Sequence, residues 1–134
     1  MKLIICLDER NGIMFNHRRQ SRDEQVIFDI LNHIGDNKLH IRNYSASLFP
    51  EGATITVSND PVANCGVHDY CFLEDINPSA VIDQFSELVI YRWNRHYPAD
   101  AVFSADLSAF HKVLTQDFTG RSHKNITKEV YQKK

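Results

Sequence analysis

The sequence predicts a single-domain α/β fold, with a mixed or largely parallel sheet flanked by helices. Three observations lead there. Short apolar, β-branched runs alternate along the chain with segments of helical period. One run, ELVIYRW (87–93), is apolar on both alternating faces, as in a central strand covered from two sides. The length, 134 residues, is one domain's worth of chain and supports a real core.

Taken in order, residues 2–8 (KLIICLD) read as a buried strand, and ERNG (9–12) reads as a turn because Asn-Gly favours tight reversals. Ser21 followed by Glu24 has the spacing of a capping box. Val26, Ile27, Ile30, Leu31 and Ile34 then recur at helical spacing until Gly35. Residues 38–42 form a strand candidate, 43–49 one or two helical turns, and 53–58 a β-branched strand. Residues 59–64 make a short helix, with Asn59 or Asp60 as cap and Pro61 at its first position. Residues 69–75 read as a strand. Residues 77–87 read as a helix opened by Asn77 and Pro78. In the strand 87–93, Leu88 and Ile90 point one way and Val89, Tyr91 and Trp93 the other. Residues 111–118 are a later strand, and 122–132 (SHKNITKEVYQ) read as a final helix capped by Ser122.

Composition narrows the function classes. The formal net charge is −2, so a general affinity for long nucleic acid is not expected and any anion site must be local. Cys6, Cys65 and Cys71 are odd in number and contain no C-x-x-C pair, which reads as reduced thiols and a cytoplasmic setting. The opening apolar run LIICL is too short for a membrane span or a signal core.

Positive charge gathers in three places. In NGIMFNHRRQSRDE (11–24), Arg18, Arg19 and Arg22 precede a helix start, where the helix dipole disfavours cations. Asn16 stands beside them, and Met14 and Phe15 either face a nucleobase or pack in the core, the core being the better reading for Met14. Sequences usually avoid such a conflict or use it for a ligand. In YRWNRHYPAD (91–100), Arg92, Asn94, Arg95 and His96 interleave with Tyr91, Trp93 and Tyr97. That pattern fits either a covered strand with solvated charges or stacking on a base with pairing to phosphate. In TGRSHKNITKEV (119–130), Gly120 precedes Arg121, Ser122 and Lys124 at the predicted start of the last helix. A phosphate could meet free backbone N–H groups there; an ordinary capped helix start is the alternative.

Catalytic motifs are sparse. Cys65, His68 and Cys71 are too few for structural zinc, and no metal or cofactor is expected. There is no H-x-H-x-D-H run and no G-x-S-x-G elbow. The start LIICLDERNGI resembles that of dihydrofolate reductases, whose first strand leads to a similar turn, without the carboxylate and relay pattern that should follow. These absences point to recognition of a phosphorylated ligand rather than its conversion. The alternative is a small nucleotide-processing enzyme, hydrolase or reductase-like, with His123 or Asp8 as proton carrier. A third class is an RNA- or protein-binding adaptor that uses its arginines nonspecifically.

Taken together, MKLIICLDERNGIMFNHRRQSRD, LVIYRWNRHYPAD and FTGRSHKNITKEVY resemble the first Thoeris anti-defence family of phage and Firmicute proteins. The resemblance implies an oligomeric, non-catalytic sponge for a cyclic ADP-ribose isomer or related cyclic nucleotide made by TIR-domain immune enzymes, with a possible second site for cyclic oligonucleotides. It also implies roles for residues. Phe15 would stack on adenine, Arg121 would hold the pyrophosphate, and Arg18, Arg19, Arg92 and Asn94 would support them. A homo-oligomer, at least a dimer, is expected, because so short a chain has little room to enclose such a ligand.

Overall fold

A computed structural model describes the whole chain, residues 1–134. Ten strands and two α-helices follow one another: β1 (Lys2–Leu7), β2 (Gly12–Phe15), β3 (Arg18–Arg19), α1 (Glu24–Ile34), β4 (Leu39–Ile41), β5 (Ile55–Val57), α2 (Pro61–Asn64), β6 (Tyr70–Phe72), β7 (Glu87–Arg92), β8 (Ala101–Val102), β9 (Phe110–Phe118) and β10 (Ile126–Lys133). Short 3-10 segments cover Asn43–Leu48 and Ser79–Gln84.

The main sheet has seven strands in the order β5-β4-β6-β1-β7-β10-β9. From β5 to β7 every pairing is parallel, and β10 and β9 then add antiparallel strands. The mostly parallel α/β domain is therefore as the sequence predicts. A small second sheet, β3-β2-β8, stands beside it.

Two core layers lie on the two faces of the sheet. Val89, Tyr91 and Trp93 pack with Ile4 and with Val26, Ile27, Ile30 and Ile34 of α1. Leu88 and Ile90 turn the other way and pack with Leu3, Ile5, Phe85, Phe103 and Phe110. The alternation read in residues 87–93 separates the layers as expected. Helix α1 buries one stripe and ends at Gly35 (φ +57), whose N–H reaches Leu31 O at 3.3 Å. A positive φ is cheap only for glycine, which is why the helix stops there.

Three expectations need correction. The helix 122–132 is instead strand β10, paired with both β7 and β9. Ile126 and Val130 are four residues apart. That spacing puts them on one face of a helix or, being even, on one face of a strand, and the open edge of β7 decided between the two. The helix 77–87 shrinks to the 3-10 segment Ser79–Gln84, broken at Val81 (φ −118°, ψ 17°). None of its residues is fully buried, so no apolar stripe rewards a longer helix. The cap of α1 is Asp23 rather than Ser21: its Oδ1 accepts the Gln25 N–H at 2.9 Å.

No helix is long and apolar enough to cross a membrane.

Candidate functional site

Parallel strands carry their ligands in the crevice beyond their carboxyl ends. Here that rim receives Asp8 after β1, Tyr44 after β4, Glu74 after β6, and Trp93 to Tyr97 after β7. The β2–β3 hairpin and the loop 119–124 fold over it.

Asp8 fixes the base of the hairpin. It is buried, and its carboxylate accepts N–H bonds from Arg10 at 2.8 Å and Gly12 at 2.7 Å, and from Gln20 Nε2 at 3.0 Å. Burial alone would raise its carboxyl. The Gly12, Arg10 and Gln20 hydrogen bonds outweigh that and hold it below its ordinary value. Gly12 is required for space, since a Cβ there would stand 2.6 Å from Asp8 Oδ2 and 2.8 Å from Ala99 Cβ. Asp8 therefore stays ionised and serves as an anchor.

The hairpin tip is strained. Asn16 (φ 54) and His17 (φ 59) both adopt the left-handed conformation, as a two-residue type I′ reversal demands. Asparagine tolerates it; for His17 it costs on the order of 1–2 kcal/mol. The tip is held by the Asn16 N–H donating to Asp100 Oδ2 at 2.9 Å. The result is a cross-strand pair, Phe15 opposite Arg18, both exposed. Phe15 leaves 47% of its surface in solvent, whereas its neighbour Met14 is core at 6%.

Phe15 divides a cleft into two chambers. The larger, about 690 Å³, lies against Phe15, Asn16, Arg18, Arg19, Gln20, Tyr97 and Pro98. The smaller, about 360 Å³, shares Phe15, Tyr97 and Pro98 and adds Arg10 and His96. None of the ion pairs in the structure uses Arg10, Arg18 or Arg22. Exposed rings beside unpaired guanidiniums in a cleft of this size suit a planar group carrying negative charge.

Behind the cleft is a buried polar knot. Asp23 accepts the backbone N–H groups of Arg121 (2.8 Å), Ser122 (2.7 Å), His123 (3.2 Å) and Gln25 (2.9 Å). Burial would push its carboxyl up. The Arg121, Ser122 and Gln25 N–H groups and the His123 ring together pull it far below the carboxylate range. His123 Nδ1 lies 3.2 Å from Asp23 Oδ2, and its ring stacks on Trp93 with centroids 4.6 Å apart. On the other side, His123 Nε2 meets Tyr97 Oη at 2.9 Å and Ser21 Oγ at 3.1 Å.

The residues singled out from sequence divide into three groups. Phe15, Asn16, Arg18 and Arg19 share the cleft. Of these, Arg19 is engaged with protein: its guanidinium pairs with the buried Glu74 at 2.9 and 3.1 Å and lies over the Tyr44 ring at 4.4 Å. Arg121 and Ser122 border a different pocket of about 390 Å³, with Arg22, Glu24 and Leu48. There Arg121 pairs with Glu24 at 3.1 Å, both exposed. Its own segment starts no helix, and the helix start beside it is that of α1, whose cap Asp23 accepts the Arg121 N–H at 2.8 Å. Arg92 is bound to Glu129 (2.7 Å) and Asn11 (2.7 Å), Asn94 to Thr127 (2.8 Å), and Lys124 is exposed away from these pockets.

Gln20 and Asp23 were not among the residues singled out, and Tyr97 appeared only as one of the aromatics of the run 91–100, without a role of its own. Asp23 reads as an ordinary helix-start acid, and nothing local reveals its partners about 100 positions away.

No family model matches the chain, and no curated protein matches it. Among solved structures it is similar to dihydrofolate reductase from Enterococcus faecalis complexed with NADP(H) and RAB-propyl. The TM-score is 0.68 with 14% identity, over 98% of this chain and 95% of that one. The fold is thus the dihydrofolate reductase fold. The expectation of a non-catalytic protein stands against this finding, since a solved structure that shares the fold nearly end to end is an enzyme.

Proposed function

We propose that this chain is a reductase-like enzyme that handles a phosphorylated nucleotide in the cleft around Phe15. The observation that carries the reading is the exposed Phe15–Arg18 pair on a strained turn, set at the carboxyl rim of a reductase-type sheet. Strain at a ligand-facing turn is retained only where the surroundings enforce it, and here Asp100 does so.

The residues present fit an ADP-ribose-type group. Phe15 and Tyr97 offer faces for a base, and Arg10 and Arg18 are unpaired cations for phosphate oxygens. The larger chamber lies within the range of small-molecule sites. A nicotinamide dinucleotide, as held by the structural neighbour, supplies hydride when bound. This chain's part is to stack the base, neutralise the phosphates and keep the ligand against the rim. A cyclic ADP-ribose isomer, the ligand implied by the anti-defence resemblance, carries the same adenine and diphosphate and belongs in the same trial.

Calorimetric titration with NADP⁺, NADPH, ADP-ribose and cyclic ADP-ribose, with mass spectrometry of each nucleotide after incubation, tests the reading. Binding of at least one of them, weakened by Phe15→Ala and by Arg18→Ala, supports the site. Conversion of the bound nucleotide, or NADPH oxidation when reducible substrates are supplied, supports the enzyme. Millimolar or no binding by all four would sink the proposal.

A further inference from the structure

We infer that Tyr97 is a nucleophilic, proton-exchanging phenol in the wall of the cleft, served by His123 behind it. The placement rests on the cleft reading above; the activation of the phenol does not. The half-buried Tyr97 ring borders both chambers. Its hydroxyl lies 2.9 Å from His123 Nε2, and His123 Nδ1 lies 3.2 Å from Asp23 Oδ2. Carboxylate, imidazole and hydroxyl thus stand in line, the order in which enzymes activate an oxygen nucleophile.

The proton positions follow from the neighbours. Asp23 accepts four backbone N–H groups and is ionised. The ring nitrogen Nδ1 faces Asp23 Oδ2 at 3.2 Å and Ser122 Oγ at 3.0 Å. The Ser122 hydroxyl has Arg22 O and Asp23 Oδ2 to donate to, so the hydrogen is assigned to Nδ1, which donates it. Nε2 then presents its lone pair to a hydroxyl. Two hydroxyls compete for it, Tyr97 at 2.9 Å and Ser21 at 3.1 Å. Ser21 borders two voids of about 10 Å³ each, too small for a substrate, and neither chamber of the cleft. Tyr97 opens onto the cleft. The Trp93 stack fixes the ring plane, and burial keeps water from taking Tyr97's place at Nε2.

When the Tyr97 oxygen attacks an electrophile or takes up a ligand proton, its own hydrogen passes to His123 Nε2. Asp23 stabilises the imidazolium. In reverse, the imidazolium returns that hydrogen to the Tyr97 oxygen, and the phenol donates one to the ligand. A hydrogen bond kept only for packing would leave Tyr97 as inert as Tyr44 and Tyr131, which are also half-buried.

N-acetylimidazole separates the two roles. The Tyr97 oxygen bonds to the acetyl carbonyl carbon, the bond to the reagent's imidazole nitrogen breaks, and the phenolic hydrogen leaves by way of His123 to the departing imidazole. Peptide mapping of the full chain at neutral pH should show Tyr97 acetylated about tenfold or more faster than Tyr44 and Tyr131, in line with modest general-base assistance. His123→Gln should bring Tyr97 to their rate, while Ser21→Ala, which removes the competing hydroxyl, should leave it as fast or faster. If Tyr97 in the unaltered chain reacts no faster than Tyr44 and Tyr131, the inference is wrong whatever the variants do. A folded His123→Gln chain that keeps the fast rate overturns it too. Saturating NADP⁺ should slow acetylation of Tyr97. Fast acetylation that NADP⁺ does not touch upholds the activated phenol and counts against the nucleotide reading of the cleft.

Discussion

Asp23 occupies the place where a side chain on Gly120 would go: a Cβ on Gly120 would lie 2.5 Å from Asp23 Oδ2. The carboxylate cannot retreat, because the backbone of Arg121, Ser122 and His123 holds it from the other side. Gly120→Ala is therefore expected to cost about 1–3 kcal/mol, the usual range for a methyl forced into filled space. Urea denaturation checks this. A variant as stable as the parent would mean that the loop 119–124 slides freely over α1.

Acid should loosen the same knot. A carboxyl held low in the fold stabilises it above the unfolded value, near 3.9 for aspartate, and that contribution is lost as pH falls through and below it. Asp23 is shifted in this direction, as are Asp8, Asp69, Glu87 and Glu129. Melting temperature is expected to fall steeply from about pH 5 to about pH 2. Asp23→Asn should lower stability at neutral pH and make the acid limb shallower. An unchanged acid limb in that variant would show that the other carboxyls carry it.

Phe15→Ala and Arg18→Ala should act on ligand and hardly on stability, because both side chains are exposed at the turn. Base stacking on an aromatic ring contributes about 1–3 kcal/mol, so NADP⁺ affinity in Phe15→Ala should drop roughly five- to a hundredfold. Arg121→Ala, in the separate pocket beside Glu24, should change it much less. Equal losses from Arg18 and Arg121 would mean a diffuse basic field.

Arg19 should behave the opposite way. Removing its guanidinium strands Glu74, which is nearly buried and keeps only Ser45 Oγ at 2.7 Å. Breaking such a pair from one side costs about 3–5 kcal/mol. Arg19→Ala should unfold at much lower denaturant, and adding Glu74→Gln should recover part of the loss. Thermal melts of the two variants decide this.

The parts legible in the sequence are those with one consistent period. β1, α1 and β7 each show an apolar pattern that only one secondary structure satisfies, and the layers follow from them. β10 was ambiguous because its apolar residues fall at even spacing. The β2–β3 hairpin was hidden because its reversal uses Asn16 and His17, without the glycine that announces such turns. Phe15 and Arg18 stood out because they are neighbours in sequence. Of the relay behind them, His123 was legible as a candidate proton carrier, but its partners were not, since Asp23, Tyr97 and His123 meet only after three separate segments are folded together.

β1 lies in the middle of the main sheet, between β6 and β7, both of which come much later in the chain. During synthesis neither of its neighbours exists until residues 70–72 and 87–92 have been added. Until then the apolar run Leu3–Leu7 has neither of its partner strands, and its edges are open to wrong pairing. The far side of β7 is likewise uncovered until residues 126–133, the strand β10, have been added. Removing β10 should therefore leave the far edge of β7 unpaired and send the chain to aggregates rather than to a smaller folded form.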